Sequence, residues 1–272
     1  MAETTSARNL LDMVGTPPLP IMDSLDEIIT LAGAGSMLIP EQLAGVSRFA
    51  QSCKRVTAYL SKGEATGEVV ALYGQSIQSL ADLQAEIEQC IDGERLRDDA
   101  SSALRNIRRK KEHVEAQIKE KLNHILKSRK QYLSDGYITS RQGRYVLPVQ
   151  RKFQAQFGGT VIEVSGKGST VFMEPAAIAK PQAELAALSI EEDAEERRIL
   201  YTLTAAVVEH TPTIRRNMEA MEVLDVLFAK AKLSAEMRAV PVEIGGERRL
   251  SIKKGRHPLL SADRCIPLDF EM

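Results

Sequence analysis

Gly166-Lys167-Gly168-Ser169-Thr170 is the stretch whose residue types come nearest to phosphate chemistry. A phosphate loop needs four residues between its first glycine and the Gly-Lys-Ser/Thr, and it opens a helix whose N–H groups cradle the phosphate. Here Gly-Lys-Gly falls between two β-rich segments, so a hairpin turn is expected, with Lys167 exposed where it can touch a nucleic-acid phosphate. Glu191, Glu192, Asp193, Glu195 and Glu196 could serve a metal or general-acid chemistry. They lie in a helical stretch followed by Arg197 and Arg198, which reads instead as a solvated face pairing with a basic helix. Cys53, Cys90 and Cys265 are odd in number and far apart, so each is expected to be buried and structural, outside any disulfide framework or CxxC half-site. His113, His124, His210 and His257 lack ligand spacing. No Ser/His/Asp, Cys/His or HExxH arrangement occurs. The expectation is no metal site, no catalytic residue and no enzyme acting alone.

Charge is distributed unevenly. The 272 residues carry a formal charge of −1, yet residues 95–152 hold sixteen Lys or Arg against six Asp or Glu, a net of +10. Such a block is either a polyanion footprint or the solvated face of a long helix. Apolar residues at 43% and charged residues at 27% describe a folded protein rather than a disordered one. No run of about 18 apolar residues is available to cross a bilayer, and the first 30 residues lack a basic stretch followed by an apolar one. A cytoplasmic location is expected.

The elements that must position these residues follow from periodicity. Residues 1–94 read as a bundle of short helices, with apolar positions at helical spacing in Val46, Phe49, Cys53, Val56 and Leu60 and again in Leu80, Leu83, Ile87 and Cys90. Asp98 or Asp99 is expected to cap a helix running without Gly or Pro to Asp135, about 36 residues and roughly 54 Å at 1.5 Å per residue. Its narrow stripe of Ala100, Ala103, Leu104, Ile107, Val114, Ile118, Leu122, Ile125, Leu126 and Leu133 suits one partner helix. After Gly136 come Tyr137–Arg141, Arg144–Val149, Thr160–Ser165 and Ser169–Met173, predicted as a small antiparallel sheet. The helical period returns from Ala179, with a break or kink expected near Thr211 ahead of Pro212, and Met218, Met221 and Met237 in the core. Beyond Pro241, Val242-Glu243-Ile244 and Leu250–Ile252 read as strands of a domain that barely begins. The expected class is mainly α with a small β insertion: a helical core, long antiparallel helices, and the sheet at their tip.

At the sheet the sequence becomes specific. Tyr137-Ile-Thr-Ser-Arg-Gln-Gly-Arg-Tyr-Val-Leu-Pro-Val149, followed by Ser169-Thr-Val-Phe-Met-Glu-Pro-Ala-Ala-Ile178, resembles the MutS family, in particular its bacterial type-two branch. Met221-Glu-Val-Leu-Asp-Val-Leu-Phe-Ala-Lys-Ala-Lys-Leu233 and Gly255-Arg-His-Pro-Leu-Leu260 continue the resemblance in the family's order, while residues 1–95 match mainly by helical pattern.

The resemblance implies a helical core at 1–94, an outgoing lever helix at 95–135, a β-rich clamp at 136–178, returning lever and core helices at 179–239, and the truncated start of an ATPase domain at 240–272. It implies DNA, duplex, branched or mismatched, as partner, in mismatch repair or recombination control, with a homodimer, ATP and Mg belonging to the full-length protein. Arg141, Arg144, Arg151, Lys152 and Lys167 are the expected phosphate contacts, with Arg141 and Arg144 alternatively bracing the sheet. Arg256, His257 and Pro258 form the ATPase-edge motif, and no cofactor is expected in this chain. Leu268 stands where many relatives have a polar residue near the nucleotide base. The start, Ala2–Leu11, is similar to a segment found tens of residues inside such proteins, and Ile266–Met272 stops where the family approaches its Walker A loop. A piece of a longer protein is therefore expected, a stand-alone protein being the alternative. The competing functional class is a helical module that binds structured RNA, the ribosome included, or a protein.

Overall fold

Ser101 opens the helix that organises the basic half of the chain: its hydroxyl accepts the Leu104 N–H and caps the first turn. The computed structural model describes residues 1–22, 24–246, 248–260 and 264–272. In chain order the elements are α1 (Ala2–Val14), α2 (Leu25–Gly33), α3 (Pro40–Glu64), α4 (Ala81–Cys90), β1 (Ile91–Asp92), β2 (Arg95–Leu96), α5 (Ser102–Ser128), β3 (Thr139–Arg141), β4 (Arg144–Gln150), α6 (Gln154–Phe157), β5 (Gly159–Val164), β6 (Thr170–Pro175), α7 (Ala179–Glu236), β7 (Ser251–Gly255) and β8 (Leu268–Glu271). The protein is mostly helical, 61%, with small antiparallel sheets and one long helix.

The chain divides into two compact units. One comprises Met1–Thr30, Gly45–Gln84 and Val207–Met272. Its core gathers Leu10, Phe49, Val56, Leu60, Leu83, Ile214, Met221, Leu224 and Phe228, all essentially inaccessible. Tyr59 packs edge-on to Phe228 at 5.7 Å and donates its hydroxyl to the Gly15 carbonyl. Asn217 is wholly buried and satisfied: Oδ1 accepts the Gln78 N–H at 2.9 Å, and Nδ2 donates to the Gln78 carbonyl at 2.8 Å and to Cys53 Sγ at 3.6 Å. Cys53 is buried as expected, and burial pushes its thiol up to about 11, whereas Cys90 and Cys265 are only half-buried. Met221 is buried, but Met237 is exposed.

The other unit comprises Leu31–Ala44 and Ala85–Ala206. Val114, Ile118 and Leu122 of α5 share a core with Leu133, with Leu147 and Val149 of β4, Phe157 of α6, Val171 and Met173 of β6, Ile178, and Leu185 and Leu188 of α7. The sheet order is β3-β4-β6-β5, antiparallel throughout, with Leu147 opposite Met173 and Val149 opposite Val171. The strands fall within two residues of the predicted ones, and Gly166-Lys167-Gly168 is the expected hairpin turn between β5 and β6, Gly168 holding φ +68.

Further expectations are corrected. The helix cap is Ser101 because the candidate caps are engaged elsewhere: Asp98 binds Arg108, and Asp99 binds Arg97 and Arg105. The helix is 27 residues, ending at Ser128, after which the chain tightens into a 3-10 turn at Lys130–Tyr132. Pro212 does not interrupt α7, which is assigned as one helix of 58 residues. Val207 and Ile214, on either side of it, are fully buried, so packing holds the helix through the missing N–H. Val242-Glu243-Ile244 forms no strand, while Ser251–Gly255 pairs with Leu268–Glu271.

Candidate nucleic-acid interface

The β3–β4 hairpin forms one edge of the four-stranded sheet. Arg141 lies over the Phe172 ring at 4.5 Å, its Nε is 3.5 Å from Glu163, and Gln142 donates to the Ile162 carbonyl at 3.4 Å. Arg144 donates to Glu174 at 2.9 Å, and that carboxylate is only 4% exposed. Phe172 and Glu174 alternate along β6 with Val171 and Met173, so the two arginine side chains lie on the sheet face opposite the apolar core. Both arginines therefore have internal work, consistent with bracing.

The other three expected contacts stand differently. Arg151 is exposed; its backbone N–H binds the Ser169 carbonyl and its guanidinium reaches the Gly168 carbonyl at 3.3 Å, beside Lys167 in the turn. Lys152 is exposed, with its ammonium 4.8 Å from the centre of the Phe153 ring. Lys167 is exposed and has no hydrogen bond or ion pair among the described residues. The five residues thus divide into two that are matched by carboxylates and three that are not.

The acidic stretch of α7 binds α5. Arg108 gathers Glu192 at 2.8 Å, Glu196 at 2.7 Å and Asp98, while Lys111 reaches Glu192 at 2.6 Å. Burial pushes the Glu192 carboxyl up, but the hydrogen bonds of Lys111 and Arg108 together outweigh it and hold the group below its ordinary range. Glu195 accepts from Arg198 and from the capping Ser101, which bring its carboxyl down to about 2. These carboxylates neutralise cations near the start of α5. They do not reach the sheet's free ones.

The sequence reading missed Lys127, Arg129 and Lys130, where α5 ends. Arg129 donates to the Phe157 carbonyl, and its guanidinium is 5.8 Å from the Phe157 ring centre. Lys127 and Lys130 are exposed with no ion pair among the described residues. The signal was present: residues 121–134 contain no Asp or Glu.

Arg256, His257 and Pro258 lie in the exposed stretch after β7. The His257 N–H faces Cys265 Sγ at 3.3 Å, and its Nδ1 accepts the Leu259 N–H at 3.2 Å. No helix among the described residues is long and apolar enough to cross a membrane.

No protein-family model matches the chain. Individual proteins do, over nearly its whole length. The chain is 36% identical over 270 residues to the Endonuclease MutS2 of Alkaliphilus oremlandii, covering 97% of this chain and 34% of that protein. It is 32% identical to that of Bacillus velezensis and 35% identical to that of Halothermothrix orenii, in each case over 99% of this chain and 35% of the relative. The chain belongs to the MutS2 branch of the MutS family. It spans about a third of the length of the curated relatives it matches.

Proposed function

We propose that the basic unit of this chain binds the phosphate backbone of duplex or branched DNA, as part of a MutS2 protein acting in mismatch repair or recombination control. The observation that carries this reading is the sorting of cations around the sheet: Arg141 and Arg144 are matched by carboxylates, while Arg151, Lys152 and Lys167 are exposed and unmatched. Unpaired Lys and Arg on a rigid support bind phosphates through counterion release and carry no base code. In this reading α5 and the first part of α7 are lever helices, the sheet is the clamp, and residues 240–272 begin an ATPase domain. ATP, Mg and dimer formation belong to the full-length protein in the cytoplasm. The nuclease activity for which the relatives are named is assigned to residues outside this third of their length, and the chain is proposed not to be an enzyme by itself.

Fluorescence anisotropy on labelled duplex and four-way-junction DNA at several salt concentrations tests the reading. Contact with about three to five phosphates gives a log–log salt slope of roughly −3 to −4.5 with little sequence preference. Changing Arg151, Lys152 and Lys167 together to Glu should flatten that slope and weaken binding uniformly across sequences. An unchanged slope in that variant, or binding to ribosomal RNA with none to DNA, would overturn the proposal.

A further inference from the structure

We infer that the phosphate-binding surface continues from the sheet onto the end of α5, where Lys127 and Lys130 make further contacts to the DNA backbone. This rests on the proposed function and extends it to residues outside the sheet. Between residues 121 and 173 the chain holds nine Lys or Arg and only two acidic residues, Asp135 and Glu163. Glu163 is taken by Arg141, on the hairpin. Asp135 is exposed at the junction and is the one carboxylate near the end of α5 in sequence.

Contacts join the two parts of this surface into one support. Arg129 is bound to the Phe157 carbonyl, Tyr132 packs edge-on to Phe153 at 5.2 Å, and Leu133 bridges to Val149. The Ser134 N–H binds the Pro148 carbonyl, and its hydroxyl is 2.9 Å from that of Thr170. The segment carrying Lys130 is thereby stitched to the strand and turn that carry Arg151 and Lys152. Tyr132 and Phe153 are half-buried, and Lys152 lies over the Phe153 ring, so these aromatics form a seam and not a platform for a base. The ligand chemistry that remains is phosphate. Arg129, though exposed, is bound to the Phe157 carbonyl and acts as a positioning residue, while Lys127 and Lys130 are exposed with no ion pair among the described residues.

The test uses the full chain, duplex DNA and the same salt series. Replacing Lys127 and Lys130 by Gln should make the slope shallower by roughly 1.8, since each phosphate contact contributes about 0.9. Replacing both by Arg should restore it. Arg129→Lys should lower affinity at every salt concentration while leaving the slope nearly unchanged, because the charge stays and the anchor is lost. Arg109→Gln with Lys110→Gln removes two exposed cations about 17 residues earlier, roughly 26 Å along the helix, and should leave the slope as it is. Circular dichroism and melting curves check that each variant folds. A full slope in the Lys127/Lys130 variant beside a flattened one in the Arg151/Lys152/Lys167 variant would overturn this inference and leave the sheet as the whole site. Equal flattening in the Arg109/Lys110 variant would overturn it too, by showing a diffuse field without a site. Full slopes in both lysine-poor variants would overturn the proposed function itself.

Discussion

Gly159 occupies a position that no other residue can take without movement. Its φ is +140, and a Cβ there would stand 2.2 Å from the Glu174 carbonyl oxygen on the paired strand. Gly159→Ala should therefore lower stability by about 2–4 kcal/mol, combining backbone strain with a clash against backbone; urea denaturation followed by circular dichroism measures it, and a loss under about 0.5 kcal/mol, the range of neutral surface changes, would contradict it. Glu195 supports a pH prediction. Hydrogen bonds from Arg198 and Ser101 bring its carboxyl from 4.5 to about 2, so the folded state holds the charged form more firmly than the unfolded chain does. Its contribution is present above pH 4.5 and is lost as pH falls through that window toward 2. The melting-temperature difference between the parent chain and Glu195→Gln should accordingly shrink across that window; a difference constant with pH would show that the carboxylate is not what matters. Sequence identified Glu195 as to type, a carboxylate on a helix facing basic partners. It could not supply the close approach of Gly159 to Glu174, fifteen residues away, or the partnership of Glu195 with a capping serine 94 residues earlier.

Element types were largely legible because burial imposes its period on the sequence. The four strands of the main sheet and the apolar stripe of α5 came through, since Leu104, Val114, Ile118 and Leu122 are buried at the predicted spacing. What escaped was local turn chemistry and tertiary override. Gly93-Glu94 forms the two-residue turn of the β1–β2 hairpin, with Gly93 at φ +61, inside a region read as wholly helical. Pro212 was expected to interrupt a helix that in fact continues for 24 residues past it. There the Thr211 hydroxyl binds the Val207 carbonyl at 3.1 Å, one of the helix's internal acceptors, while the Val208 carbonyl loses the donor that a residue other than proline would provide. Pro212→Ala should restore that hydrogen bond and raise stability by about 1–3 kcal/mol, read as an upward shift of the melting temperature. A lower melting temperature would mean that the surrounding core is shaped to a bend that proline sets.

At the scale of the whole molecule, charge location was legible and charge availability was not. The excess of cations in residues 95–152 is plain from composition, but which of them are free depends on carboxylates placed by the fold: Glu192 and Glu196 cancel Arg108 and Lys111, and Glu163 and Glu174 hold Arg141 and Arg144. The same interdependence decides how the sheet can be removed. Leu147, Val149, Phe157, Val171 and Met173 share one core with Val114, Ile118 and Leu122 of α5 and with Leu185 and Leu188 of α7. Replacing residues 137–177 by a short Gly-containing turn would expose those helix residues, and a single facing helix leaves most of their surface wet. Such a variant should keep a cooperative melt from the unit built around Phe49, Leu60, Met221 and Phe228, none of which belongs to that core. It should also lose helix signal, with rapid amide exchange in α5 from about Val114 to Ser128. Hydrogen exchange read by mass spectrometry separates the outcomes: full protection of α5 in the deletion would show that it pairs with α7 unaided. Loss of DNA affinity in the same variant would mix unfolding of α5 with loss of phosphate contacts, which is why surface substitutions at Arg151, Lys152 and Lys167 are the cleaner measure of binding.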